Sequence, residues 1–280
     1  MSGGPASEAE PGDRRGPMGK ALPLDGARIL LTRPAEDSAG LADRLRAAGA
    51  EAAIVPLLRI APPSDPAALD AARRDAGRAR WIVFTSRHAA RAFLAKLAPQ
   101  DAPRTRIAAV GASTKGEVLR AGWPVALEAG GRGALALARE LARSDDLRGA
   151  LVVYPRSDLA SEALWKTLEE AGATVISVEA YRTLPAEPSA EEVDRLARGG
   201  YDLILFASPS AVRRFVELAP RAGEILRGAL PVSIGPTTTA ALRGAGADAV
   251  VQAPAADDAG ILESMTAAWQ RRNQERGNAR

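Results

Sequence analysis

The chain repeats itself at a nearly constant offset, and this repetition limits its fold more than any single motif. Phe84 and Phe206 stand 122 positions apart, Gly49 and Gly172 stand 123 apart, and Gly111 and Gly235 stand 124 apart. On the same offset Arg33 falls on Arg156 and Leu58 on Tyr181. A spacing held through five elements points to duplicated halves. At 280 residues the chain is long enough for two domains, each with its own core.

Each half alternates short apolar runs with stretches of helical spacing. Strands are expected at 28–31, 52–58, 81–84, 107–110 and around Val125, then at 151–154, 174–180, 203–206, 230–234 and 249–252. Pro56 marks an edge or a bend in the second of these. Helices are expected over 38–48, 67–76, 89–97, 133–142, 161–171, 191–198 and 258–269, with one more after each glycine turn. Aromatic residues make up only 4% of the chain, so the cores must be built from Leu, Val, Ile and Ala. Apolar strands alternating with amphipathic helices mean an α/β fold with parallel sheets flanked by helices.

The turns between them carry the functional signal. The run Leu230 to Ile234 stops at Gly235, and Thr237, Thr238 and Thr239 lead into a helix. Val110-Gly111-Ala112-Ser113-Thr114 is an upstream copy. Unpaired backbone N–H groups and the positive end of a helix dipole meet at such a turn, which suits an anion. In open parallel sheets ligands bind beyond the carboxyl ends of the strands. The turns expected there hold Arg33, Thr85, Ser86, Gly111, Ser113, Thr114, Arg156, Ser208, Ser210, Gly235, Thr237 and Thr238. Small hydroxyl residues with a few arginines suit a large polyanion. Any one Ser or Thr is accounted for as an N-cap; six such turns on matching edges favour binding.

Other chemistries find little support. There is no cysteine, which removes disulfides and thiolate catalysis, and the single histidine, His88, argues against a histidine metal centre. Ser86 and Ser208 lack a histidine–carboxylate pair for a hydrolase triad. Gly130-Gly131-Arg132-Gly133 lacks the phosphate-loop Lys-Ser/Thr and reads as an ordinary loop. Asp257-Asp258 reads as a cap of the last helix. Residues 1–25 lack the apolar stretch of a signal peptide and read as a disordered lead-in, with the protein cytoplasmic and no membrane span. The net charge of +3 resides in a basic tail, 270–280, expected to fray, so nucleic acid is not an expected partner.

The chain resembles the uroporphyrinogen-III synthase family. The resemblance is carried by Ile29-Leu30-Leu31-Thr32-Arg33-Pro34, by Phe84-Thr85-Ser86 followed by Ala89, and by Val110-Gly111 with Thr114. It continues in Val178-Glu179-Ala180-Tyr181-Arg182-Thr183, Phe206-Ala207-Ser208-Pro209-Ser210-Ala211-Val212 and Ile234-Gly235-Pro236-Thr237-Thr238. The resemblance implies two flavodoxin-like domains joined by a two-strand connector, with the active site in a cleft between them. One domain would be 26–57 plus 184–269 and the other 58–183. It further implies cyclisation of hydroxymethylbilane with loss of water and inversion of ring D, by a monomer without cofactor or metal. An upstream hydroxymethylbilane synthase would hand over the substrate.

By the same match Tyr181 is a candidate general acid, and Thr85, Ser86, Thr114, Ser208, Ser210, Thr237 and Thr238 would hold substrate carboxylates. The alternative for Tyr181 is a half-buried connector residue. The sequence departs from the family at Ala207, where Thr is common, and at His88, where Asn is common. Two rival readings remain: a non-catalytic two-domain carboxylate-binding or sensor protein, and a nucleotide-sugar transferase, for which no nucleotide motif is visible.

Overall fold

The computed structural model describes residues 22–129 and 133–278. The chain forms two compact units, one holding the residues up to Leu57 and from Glu187 onward, the other Leu58–Ala186. It opens with β1 (Arg28–Leu31), α1 (Ala35–Ala47), β2 (Glu51–Ile54), β3 (Leu58–Ala61) and α2 (Pro66–Ala76). There follow β4 (Trp81–Phe84), α3 (Arg87–Leu94), β5 (Arg106–Val110), α4 (Gly111–Arg120), β6 (Leu127–Ala129) and α5 (Ala134–Ser144). The second half has β7 (Leu151–Ser157), α6 (Ala163–Glu170), β8 (Thr174–Pro185), α7 (Ala190–Arg198) and β9 (Leu203–Phe206). It ends with α8 (Pro209–Leu218), α9 (Ala222–Gly228), β10 (Leu230–Ser233), α10 (Pro236–Gly244), β11 (Val251–Gln252) and α11 (Asp258–Asn278).

The first unit has a parallel sheet in the order β11-β10-β9-β1-β2; the second has β8-β7-β4-β5-β6, with β3 added to β8. Counted by place in the repeat, both parallel sheets read 2-1-3-4-5, the flavodoxin-like order. Registers match as well as order. Ile29 faces Leu203 as Val152 faces Trp81, and Arg28 faces Glu51 as Leu151 faces Thr174. Leu230 faces Leu203 as Arg106 faces Trp81, and Val232 faces Val251 as Ala108 faces Leu127. Each sheet therefore takes its first two strands from one repeat and the other three from its counterpart.

Side chains leave the sheets on alternate faces. On β4, Ile82 and Phe84 enter a core with Phe93 and Tyr181, while Trp81 and Val83 enter a second core with Leu137, Leu141 and Tyr154. In the first unit Ile29, Leu31, Leu203 and Leu205 pack with Leu41, Leu45, Ile261 and Met265.

Several expectations are corrected. The strand expected over 52–58 breaks at Pro56, whose missing N–H cannot join a ladder. Leu58 instead starts β3, which pairs antiparallel with the end of β8: Leu58 opposite Pro185 and Ala61 opposite Arg182. Residues 59–62 are the repeat counterparts of 182–185, so this ribbon pairs two copies of one segment. The strand expected near Val125 lies at Leu127–Ala129, and the expectations include neither helix α8 nor helix α9. Residues 22–25 of the supposed lead-in belong to the fold: Leu24 is fully buried, and its N–H donates to the Ala48 carbonyl at 2.9 Å. The tail is not frayed through 270–278, because α11 continues to Asn278. Arg272 there donates to the carbonyls of Asp202 (2.9 Å) and Gly228 (2.7 Å). Residues 1–21 and the Gly130-Gly131-Arg132 part of the glycine loop lie outside the described residues.

Candidate active site

In a 2-1-3-4-5 sheet the connections leave in opposite directions beside the first strand, and the crevice at its carboxyl end is the topological switch point. In the second unit that point lies between β7 and β4, and four hydroxyls gather there. Ser86 has extended backbone (φ −146°, ψ 137°) and caps α3, its Oγ accepting the His88 N–H at 3.2 Å. The same Oγ lies 2.9 Å from the Tyr181 phenol oxygen. Thr85 Oγ1 lies 3.3 Å from the Tyr154 phenol oxygen.

The strands fix both tyrosines. Tyr154 ends the apolar run of β7 and is 1% exposed. Burial pushes its phenol pKa up, against the opposing influence of Thr85 and Arg156, so it stays protonated at neutral pH. Tyr181 reaches the cluster through an irregularity in the β7–β8 ladder: Arg156 pairs with Glu179, but Ser157 pairs with Tyr181. Its carbonyl accepts the Asp158 N–H at 3.2 Å, and its ring packs against the His88 ring at 5.4 Å. Arg156 borders this group, donating to Ser177 Oγ at 2.8 Å and to the Ser157 carbonyl at 2.9 Å, with its guanidinium 5.2 Å over Trp165.

The glycine turn after β5 presents an exposed Ser113, 3.5 Å from an Arg87 guanidinium nitrogen, and a buried Thr114. Gly111 begins α4 at a φ of 73°, in the left-handed region.

The equivalent edge of the first unit has a different lining. Ser208 caps α8, accepting the Ala211 N–H at 3.1 Å, and Ser210 accepts from Arg213 at 3.0 Å. After Gly235, Thr237 is exposed and Thr238 buried, while Thr239 locks the turn against Ser233 at 2.7 Å and Gln252 at 2.9 Å. Arg33 does not reach out as expected. It is 6% exposed and donates to the Asp258 carboxylate at 3.0 Å and to the Asp37 carbonyl at 2.6 Å. The pairing uses half of the supposed double cap: Asp257 caps α11 by accepting the Gly260 N–H at 2.8 Å, and Asp258 serves Arg33.

A cavity of about 480 Å³ lies at the opposite end of α3 from Ser86, lined by Arg91, Lys96, Asp101, Glu117 and Arg120. Burial pushes the Glu117 carboxyl up, but Arg91 and Arg120 outweigh it and hold the group below the usual range. Arg91 and Arg120 pair with Glu117, Lys96 pairs with Asp70, and Asp101 accepts the Ala98 N–H at 2.8 Å. Among the described residues no group of three or more His, Asp or Glu side chains is placed to hold a metal.

The family model described as "HEM4: Uroporphyrinogen-III synthase HemD" matches residues 39–263. The chain belongs to the uroporphyrinogen-III synthase family. A relative from Synechococcus elongatus, named uroporphyrinogen-III synthase, is 32% identical over 235 residues, covering 78% of this chain and 86% of its own. One of the same name from Chlorobaculum parvum is 28% identical, covering 76% and 87%. Solved uroporphyrinogen-III synthases share the fold. One from Thermus thermophilus has a TM-score of 0.58 at 22% identity, covering 88% of this chain and all of its own. One from Helicobacter pylori has a TM-score of 0.58 at 17% identity, covering 86% and 99%.

Against this family background, the structure gathers Thr85, Ser86, Tyr181 and Arg156 at one switch point. Ser113 and Thr114 lie on the adjoining turn, and Ser208, Ser210, Thr237 and Thr238 lie on the other unit. Sequence reasoning gave Tyr154 no role and read Asp258 only as a helix cap, not as the partner of Arg33. A tyrosine closing an otherwise aliphatic strand, where the repeat counterpart is Leu31, was the available signal for the first.

Proposed function

We propose that this protein is a uroporphyrinogen-III synthase, cyclising hydroxymethylbilane with loss of water and inversion of ring D. The observation that carries the reading, within a chain of this family, is the Tyr181–Ser86 hydroxyl pair at the switch point of the second unit. The hydroxymethyl group must leave ring A, and Tyr181 is the acid that protonates it. The azafulvene so formed is attacked by the ring D pyrrole at its already substituted carbon, giving a spiro intermediate. Fragmentation and reclosure then yield the inverted ring. The pyrroles supply the electrons, so the protein chiefly folds the chain and excludes the uninverted closure.

In this reading the acidic arms of the substrate are held by Thr85, Ser113, Thr114, Ser208, Ser210, Thr237 and Thr238, by amides at Gly111 and Gly235, and by Arg156. Arg33 keeps its pairing with Asp258 and stands behind the lining. The protein acts as a cytoplasmic monomer, receives substrate from hydroxymethylbilane synthase and needs no cofactor. The test is incubation with freshly generated hydroxymethylbilane, then oxidation and isomer analysis. The type III isomer is expected; type I alone, at the level of the spontaneous control, would overturn the proposal.

A further inference from the structure

We infer that Ser86 is a positioning residue for Tyr181, donating the hydrogen bond that holds the phenolate formed when Tyr181 gives up its proton. This rests on the synthase reading, and it gives Ser86 a different task from the carboxylate binding expected of it.

The polarity of the contact follows from what each atom can do. A serine hydroxyl has one proton and two lone pairs. One lone pair of Ser86 takes the His88 N–H at 3.2 Å, and the Tyr181 oxygen lies 2.9 Å from the same Oγ. As the C–O bond of the hydroxymethyl group breaks, the Tyr181 proton leaves with the hydroxyl as water, and the pyrrole nitrogen's electron pair closes the exocyclic double bond. The phenolate left behind can only accept. Ser86, 2.9 Å away, has a proton to give, and its oxygen is polarised by an amide at the positive end of α3. A hydrogen bond to the charged form favours that form, so the acid is strengthened. The proton lost from ring D on final closure restores the phenol.

The duplicated fold separates this role from capping. Ser208 is the repeat counterpart of Ser86 and caps α8 in the same way. The counterpart of Tyr181 is Leu58, which offers no hydroxyl. Capping calls for serine in both units, whereas the phenol partner exists in only one. The His88 ring, packed on Tyr181, and the irregular β7–β8 ladder hold the pair in register.

The experiment is a cycle of Ser86→Ala, Tyr181→Phe and the double variant, with kcat and KM measured for type III formation. Ser86→Ala is expected to lower kcat about tenfold or more with KM little changed, and to do nothing further once Tyr181 is Phe. Ser86→Asp keeps the α3 cap but has no proton to donate at neutral pH, so it should lose kcat while holding its melting temperature. Ser86→Thr should restore turnover. Additive losses, a raised KM as the main effect, or a wild-type kcat in Ser86→Asp would overturn this inference while type III is still made. A wild-type protein giving only type I would instead remove the synthase reading, and the inference with it.

Discussion

Tyr181 sits between two influences, a hydroxyl that can steady its charge and an imidazole ring that fixes its plane. Tyr181→Phe is expected to cut turnover about tenfold or more without abolishing it, because substrate folding and the pyrrole electrons remain; steady-state rates on fresh substrate decide this. A second residue-scale test concerns Asp145. It accepts from Arg80 at 2.9 Å and from the Trp81 indole at 2.7 Å, and it also pairs with Arg106. Burial pushes its carboxyl up, but Arg80, Trp81 and Arg106 outweigh it and hold the group below the usual carboxylate range. A folded pKa lying below the unfolded one contributes stability above the unfolded value, and this is lost as pH falls through the folded one. Asp145→Asn should therefore flatten the loss of stability as pH falls through and below the ordinary carboxylate range, read from denaturation midpoints. At this scale the hydroxyl turns were legible because Ser and Thr next to strand ends are a local signal. The pairings Tyr154–Thr85 and Arg33–Asp258 span 69 and 225 positions, and no local pattern encodes them.

Among the elements, Gly49 and Gly172, which stand 123 positions apart in the repeat, mark the same joint. Gly49 and Gly172 have φ of 100° and 92°. A Cβ at Gly49 would lie 3.0 Å from the Asp25 Cα, and one at Gly172 would lie 3.1 Å from the Arg148 Cα. Gly49→Ala and Gly172→Ala are each expected to cost at least about 1–2 kcal/mol, from left-handed strain before any clash, measured by urea unfolding. Helix α11 gives another test. Its last turns bond the Asp202 and Gly228 carbonyls through Arg272, and Arg276 approaches the buried Asp202 carboxylate at 3.6 Å. Removing residues 270–280 should destabilise the protein by about 2 kcal/mol or more, visible as a lower melting temperature. The repeat also shows how one joint admits different chemistry. Lys115 pairs with Glu128 at 2.6 Å where the counterparts Thr239 and Gln252 share a neutral bond at 2.9 Å. Element type was readable from periodicity for most strands and helices, but not for α8 and α9. The tail was misread because its charges look solvated until the carbonyls they reach are known, and β3 was hidden by Pro56 inside an apolar run.

For the molecule as a whole, sequence spacing disclosed two units but not which strands share a sheet; apolar strands of equal length carry no address. The resemblance, not the periodicity, supplied the idea that the first strand and helix belong with the C-terminal half, and the β1–β9 and β4–β7 pairings have that arrangement. Unit boundaries at Leu57/Leu58 and Ala186/Glu187 make the second unit one continuous segment. Residues 58–186 alone are therefore expected to unfold cooperatively in denaturant, whereas a cut near Gly149 divides both sheets; a non-cooperative transition for 58–186 would count against this. The ribbon of β3 and the end of β8 has one more consequence. A segment that pairs antiparallel with its own duplicate is self-complementary, and one repeat, 22–148, carries that segment together with a full set of five sheet strands. Released from its twin, such a half is expected to find another molecule and become an intertwined dimer by reciprocal exchange, which light scattering would register as twice the monomer mass.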